Sequence, residues 1–211
     1  MISRAATVRE GSPQAPMCVA LWERFRKRNG LDVPGITPLR SEEMPEPYKR
    51  LLVHSQDMTS TLENFYGGPL GISVLSRELE GDAYLREVVL KPAGEAPPVE
   101  YGVIRICLDQ LPAKARRRVL EEERPLGNIL STEAVPFLSW PQSFFRVGPD
   151  AYMVRVLGLR QPGILYGRRN LLLDGSRHLL AEVLEVLAPA VRVNSRETSL
   201  PITTQKPISR V

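Results

Sequence analysis

The chain has 211 residues, 43% of them hydrophobic and 25% charged, which suits one globular domain with a full core rather than a disordered or fibrous chain. Its 28 basic and 24 acidic residues leave a net charge of +4 with the two signs interleaved, as where Arg116-Arg117-Arg118 precedes Glu121-Glu122-Glu123. That pattern lacks the one-sided basic stripe of a nucleic-acid binder, and no run of apolar residues is long enough to span a membrane.

Residues 1–44 read as an irregular N-terminal extension. Its first nine residues are basic without the apolar stretch of a secretory signal, and Gly11-Ser12-Pro13-Gln14-Ala15-Pro16 is loop-like. Val19 to Phe25 offers one helix, which Asp32-Val33-Pro34-Gly35 breaks. A compact α+β region follows over residues 45–190, and residues 191–211, polar and carrying Pro201 and Pro207, read as a loose tail. Cys18 and Cys107 fit no metal spacing. Cys107 sits in an apolar strand-like run and is expected to be a buried thiol in a reducing cytoplasm.

Within the compact region, residues 47–54 suggest a helical turn. Residues 57–65 read as a helix capped near Asp57, with Met58, Leu62 and Phe65 on one side, ended by Gly67-Gly68-Pro69. Strands are expected at 70–79, 83–91 and 99–108, separated by turns at Glu80-Gly81-Asp82 and Ala93-Gly94-Glu95. Pro112 opens a helix carrying Ala115, Val119 and Leu120 that stops before Pro125. A last strand pair, 164–173 and 177–187, is joined across Asp174-Gly175, a favoured hairpin turn. Sequential strands with tight turns predict a single antiparallel sheet with helices packed on it.

Two charged residues stand out against this pattern. In the strand Tyr84-Leu85-Arg86-Glu87-Val88-Val89-Leu90, Arg86 shares its face with Tyr84, Val88 and Leu90 and therefore points toward a core. A buried guanidinium needs an anion, supplied either by a small carboxylate ligand or by an internal acid. The segment 178–187 has helix-forming composition, but the preceding turn favours a strand. As a strand it leaves Glu182 and Glu185 on opposite faces, each among apolar neighbours, and Glu182 then shares its face with Leu180, Leu184 and Val186. A carboxyl in such surroundings holds its proton more tightly than in water, which suits proton exchange near neutral pH.

Four segments, taken in order, resemble the chorismate pyruvate-lyase (4-hydroxybenzoate synthase) family: Asp57-Met58-Thr59 at a helix start, Leu85-Arg86-Glu87 in mid-strand, Pro125-Leu126-Gly127-Asn128-Ile129-Leu130 after a helix, and Gly167-Arg168-Arg169 before a hairpin that leads to Glu182. The resemblance covers about residues 45–190. It implies an α+β domain that buries a small ligand beneath helical flaps and cleaves chorismate to 4-hydroxybenzoate and pyruvate without a metal or organic cofactor. On it, Arg86 holds the ring carboxylate and the Leu126 backbone amide supplements that grip. Met58 lines the same pocket, and Glu182 meets the ring hydroxyl at the opposite end. Some relatives place an arginine directly after the glycine equivalent to Gly102, near the ligand entrance; here either Arg105 replaces it or that contact is absent.

The residues make chemical sense of that reaction. Chorismate carries two carboxylates, for which Arg86 and one of Arg168 or Arg169 offer forked hydrogen bonds, either of the latter pair being equally readable as a surface charge. Losing the ring proton needs an oriented carboxylate, for which Glu182 is the candidate, rather than a nucleophile. Other motifs have plainer readings. His54-Ser55-Gln56-Asp57 lacks a nucleophile elbow and reads as a local cap, while His178 has no histidine partner at zinc spacing. Gly67-Gly68-Pro69-Leu70-Gly71 lacks the lysine of a phosphate loop, and Met58 is equally consistent with plain helix core. The main expectation is therefore a chorismate lyase-like enzyme in the cytoplasm, acting on chorismate or a related aromatic or cyclic acid and binding no nucleic acid. The alternative is a non-catalytic sensor of an aromatic acid on the same fold, against which residues 1–45 count because they are too short and proline-broken for a helix-turn-helix. Oligomeric state is not legible.

Overall fold

A computed structural model describes residues 17–190. The thirteen elements, in order, are α1 (Met17–Arg28), β1 (Ile36–Leu39), α2 (Tyr48–Leu52), α3 (Met58–Tyr66), β2 (Leu70–Glu80), β3 (Ala83–Pro92), β4 (Glu100–Cys107), α4 (Ala113–Glu121), α5 (Leu126–Thr132), β5 (Leu138–Val147), α6 (Ala151–Val156), β6 (Leu165–Leu173) and β7 (Leu179–Leu187). Single 3₁₀ turns add Ser41–Glu43 and Leu108–Gln110. The strands form one seven-stranded sheet in the order β1-β5-β6-β7-β4-β3-β2, every pair antiparallel. This is the single-sheet, chorismate lyase-like α+β architecture expected from the sequence.

Both faces of the sheet's centre are covered. On one face α1 and α6 bring Trp22, Phe25 and Met153 against Leu85, Tyr101, Val103, Leu184 and Val186. On the other, α4 and α5 pack on Ile104, Ile106, Leu172 and Val183, while α2 and α3 pack on Leu90 and Leu187. Double coverage explains the ambiguity of residues 178–187: nearly every residue of β7 is buried, so hydrophobicity shows no period of two.

Local chemistry sets the ends of these elements. The Asp57 carboxylate accepts the Ser60 amide and starts α3, and Gly67 at φ 77° ends it. The β6–β7 connection differs from a tight two-residue turn. Asp174 Oδ1 accepts the amides of Ser176 and His178, and Arg177, not Gly175, takes the left-handed conformation at φ 66°. Residues 1–16 and the expected tail at 191–211 lie outside the described residues. Within 17–44, read as an irregular extension with one helix, the chain forms α1 and also a short strand, β1. α1 buries Leu21, Trp22 and Phe25, and β1 pairs with β5 through Ile36↔Val147 to Leu39↔Phe144. Cys107 is half-buried rather than buried, and its Sγ lies 3.1 Å from Arg105 Nη1.

Candidate functional site

A cavity of about 50 Å³ lies between the sheet and the helices that cover it. Its floor follows from the register. Arg86 pairs with Ile104, Ile104 with Val183 and Val183 with Asn170; the next row on the same face runs Val88, Gly102, Glu185, Arg168; the next runs Leu90, Glu100, Leu187, Tyr166. Its roof is the start of α3, with Asp57, Met58 and Thr59, and the start of α5, with Pro125, Leu126 and Gly127. The roof helices touch closely: a Cβ on Gly127 would stand 2.2 Å from Asp57 Oδ1. Glu63 joins them further, accepting Asn128 Nδ2 at 3.0 Å and the Leu70 amide at 3.1 Å.

One end of the cavity is an unmet cation. Arg86 is 1% exposed, and its Nε and Nη1 have no hydrogen-bond partner. No ion pair reaches it among the described residues. Glu122, a nearby acid, is already committed to Arg77 at 2.6 Å and to the Tyr84 hydroxyl. Burial lowers the guanidinium to about 10, with Tyr84 and Glu122 acting in the other direction. A buried guanidinium in this state is costly unless an anion enters.

The other end is acidic. Arg168 Nε donates to Glu185 at 2.6 Å, while Nη1 donates to the carbonyls of Leu52 (3.1 Å) and His54 (3.0 Å), pinning the α2–α3 connection to the sheet. Glu100 stands beside Glu185 with its Oε2 unpartnered. Burial pushes the Glu100 carboxyl well up, Glu185 and Asp57 push the same way, and Arg168 opposes them. Burial also raises Glu185, against the pull of Arg168. Arg86 and Glu185 are one row and two strands apart, roughly 7 Å along and 10 Å across the sheet, so their side chains bracket a molecule of a few ångströms' length. At the edge Asn170 donates from Nδ2 to Ser139 Oγ, leaving Oδ1 without a partner.

The structure thus brings Arg86, Met58 and Leu126 to one cavity. It does not bring Glu182 there. Val183 and Glu185 line the cavity, so Glu182 projects from the opposite face of β7, where Arg169 Nε donates to it at 2.7 Å. The expected pairing of Arg86 with Glu182 is corrected on that ground, and Arg169 leaves the site with it. Arg168 faces the cavity side, but its bonds to Glu185 and two carbonyls make it a structural pin rather than a free anchor. Arg105 is opposite Glu182 and Leu85 in the register, hence on the far face, and does not replace the arginine missing after Gly102. Sequence reasoning missed Glu100 and Asn170 as cavity residues and favoured the wrong glutamate of β7. The pairing Ile104↔Val183 decides between Glu182 and Glu185, and no local pattern encodes it.

The remaining motifs keep their plain roles. His54 Nε2 lies 2.7 Å from the Leu51 carbonyl, and His178 Nδ1 meets Asp174 at 3.0 Å. Among the described residues no cluster of His, Cys, Asp and Glu could hold a metal ion, and no helix is long and apolar enough to cross a membrane. A roomier hollow of about 360 Å³, lined by Pro97, Pro98, Leu157 and Pro189 among others, contains no buried charge.

No protein-family model matches the chain. No curated protein sequence matches it either. Solved structures do. PhnF from Mycobacterium smegmatis has a TM-score of 0.51 at 12% identity, over 79% of this chain and 93% of that one. The effector domain of PhnF from the same organism gives 0.47 at 13% identity, over 62% and 87%. The ligand-binding domain of a protein assigned to the GntR-family transcriptional regulators, from Bordetella bronchiseptica, gives 0.43 at 10% identity, over 57% and 85%. The expectation of a chorismate-cleaving enzyme is corrected here. The carboxylate assigned to proton handling faces away from the cavity and is held by Arg169. What this chain shares with PhnF is the fold.

Proposed function

We propose that this domain binds a small organic acid without turning it over, and acts as a sensor domain. The unmet Arg86 guanidinium supports the reading most directly, because an entering carboxylate would supply the partner that the fold withholds. At the other end, Glu185 and Glu100 suit a hydrogen-bond donor on the ligand. An aromatic or cyclic acid with a polar group opposite its carboxylate fits both ends.

The cavity, at about 50 Å³, is smaller than the ~150 Å³ void that accepts benzene in a protein core. A ring larger than this space would displace α3 and α5, and such a displacement would be the natural output of a sensor. A protein named as a GntR-family transcriptional regulator is among the similar structures. Regulators of transcription act on DNA, so the expectation that nucleic acid is not a partner is dropped from this reading; a cytoplasmic setting goes with it.

The test is calorimetric titration with benzoate and 4-hydroxybenzoate, on the wild type and on Arg86→Met, with 4-hydroxybenzoate and pyruvate assayed after incubation with chorismate. Saturable binding lost in Arg86→Met, with no product formed, supports the proposal. Binding that is indifferent to Arg86 contradicts it.

A further inference from the structure

The acidic end of the cavity has a carboxyl that nothing in the protein meets. Glu100 is 4% exposed, its Oε2 has no hydrogen-bond partner, and no ion pair reaches its carboxyl among the described residues. The charged groups facing it are Glu185 from β7, Asp57 at the start of α3 and Arg168 from β6. That is one guanidinium among three carboxyl groups, and Arg168 is already bonded to Glu185 and to the Leu52 and His54 carbonyls. The opposite end holds Arg86 with no acid bonded to it. The cavity is polarised, with an unmatched cation at one end and an unmatched carboxyl at the other. Gly102 stands between the Glu100 and Arg86 rows. A Cβ there would lie 3.3 Å from Val88 Cγ2 and 3.5 Å from Glu100 Oε1, so its absence leaves the approach to Glu100 open.

We infer that the ligand is amphoteric, with a carboxylate on Arg86 and an ammonium or other nitrogen cation on Glu100. The inference rests on the acid-binding reading of the cavity and sharpens it by naming the far-end group. A neutral hydroxyl would satisfy Glu100 with an ordinary hydrogen bond, whereas a cation forms a charge-assisted one, roughly twice as strong. The cation also relieves the mutual repulsion of Glu100, Glu185 and Asp57, which a hydroxyl cannot do. Burial raises the Glu100 carboxyl above the ordinary carboxylate range. A cation beside it favours the charged carboxylate and lowers it again, so binding of the cation is accompanied by proton release to solvent.

The experiment is calorimetric titration of the full chain with benzoate, 4-hydroxybenzoate and 4-(aminomethyl)benzoate, and with the slimmer butyrate and 4-aminobutyrate. It is run at pH 6, 7 and 8 in two buffers of different ionisation enthalpy, on the wild type, Glu100→Gln and Arg86→Met. The ammonium probes should bind at least about tenfold more tightly than their counterparts without the ammonium, as a charge-assisted bond in place of a neutral one requires. They should release protons on binding, and Glu100→Gln should abolish both the preference and the release. The wild-type proton count reads the same point without any variant. Equal or weaker binding of the ammonium probes, or a preference surviving in Glu100→Gln, overturns the inference and leaves acid binding intact. Acids that fail to bind, or bind regardless of Arg86, overturn the acid-binding reading itself.

Discussion

Replacing Arg86 by Met should make the empty domain more stable while removing its affinity for acids. The side chain is 1% exposed, and two of its nitrogens have no partner. Burial holds the guanidinium at about 10 instead of 12.5, which at 1.36 kcal/mol per pH unit corresponds to about 3 kcal/mol spent on keeping the charge inside. Methionine is similar in length, has no polar donor and adapts to irregular space. The shorter side chain leaves a small void that costs about 1 kcal/mol. A net gain of about 1–3 kcal/mol follows, in line with replacements of uncompensated buried charge. For a domain of this size that is about 3–9 °C in Tm. Urea unfolding without ligand, followed by the fluorescence of buried Trp22, measures the gain, and titration with benzoate measures the loss. A variant less stable than the wild type, with acid affinity retained, would refute the reasoning, because it would mean that Arg86 has an internal partner.

Three further outcomes are expected. Glu100 and Glu185 are both raised above the ordinary carboxylate range by burial, so the stability they contribute is complete below about pH 4.5 and is lost as pH rises through their folded-state values; Glu100→Gln should therefore show a urea midpoint advantage over the wild type that grows from pH 5 to pH 8, and a constant difference would exclude the charge burial invoked here. Glu182→Gln, on the far face, should leave benzoate and 4-(aminomethyl)benzoate affinities unchanged, whereas Glu185→Gln should alter them, and titration of both variants reads which face holds the ligand. Gly167→Ala puts a Cβ 2.3 Å from the Glu185 carbonyl oxygen and 2.6 Å from the Phe145 ring, and should destabilise by at least about 3 kcal/mol, while Gly71→Ala, with nothing nearer than 3.8 Å, should be close to neutral in the same thermal scan.

The parts of the fold that were legible have a clean local signature. The β2–β3 hairpin turns at Gly81, α3 has its Asp57 cap and its Gly67 stop, and Arg86 stands on an otherwise apolar strand face, the mark of a buried guanidinium. Other parts have no such signature. β5 is half-exposed, carries Pro141 and shifts register between Pro141 and Ser143, so neither alternation nor an apolar run marks it. β1 is four residues long with Pro38 inside it, an edge strand that exists through its pairing with β5. The site was half legible for the same reason. The parity of residues on one strand is local information, and it correctly grouped Arg86 with Val88 and Leu90. Which parity of β7 faces Arg86 depends on long-range register, and the strand pattern alone does not tell Glu185 from Glu182. Glu100 follows Pro97-Pro98-Val99 and is apparent as a buried acid only once Leu90 and Leu187 are seen to flank it.

The central claim is that an acid group comes to rest on the Arg86 guanidinium inside the cavity. The most direct measurement is the ¹⁵N spectrum of the arginine Nε–H groups during titration with benzoate, with the Arg86 signal assigned by its absence in Arg86→Met. A large saturable shift of the Arg86 Nε–H is expected, while the Arg169 Nε–H, bonded to Glu182 on the other face, stays in place. An Arg86 signal that does not move at saturating benzoate would contradict it.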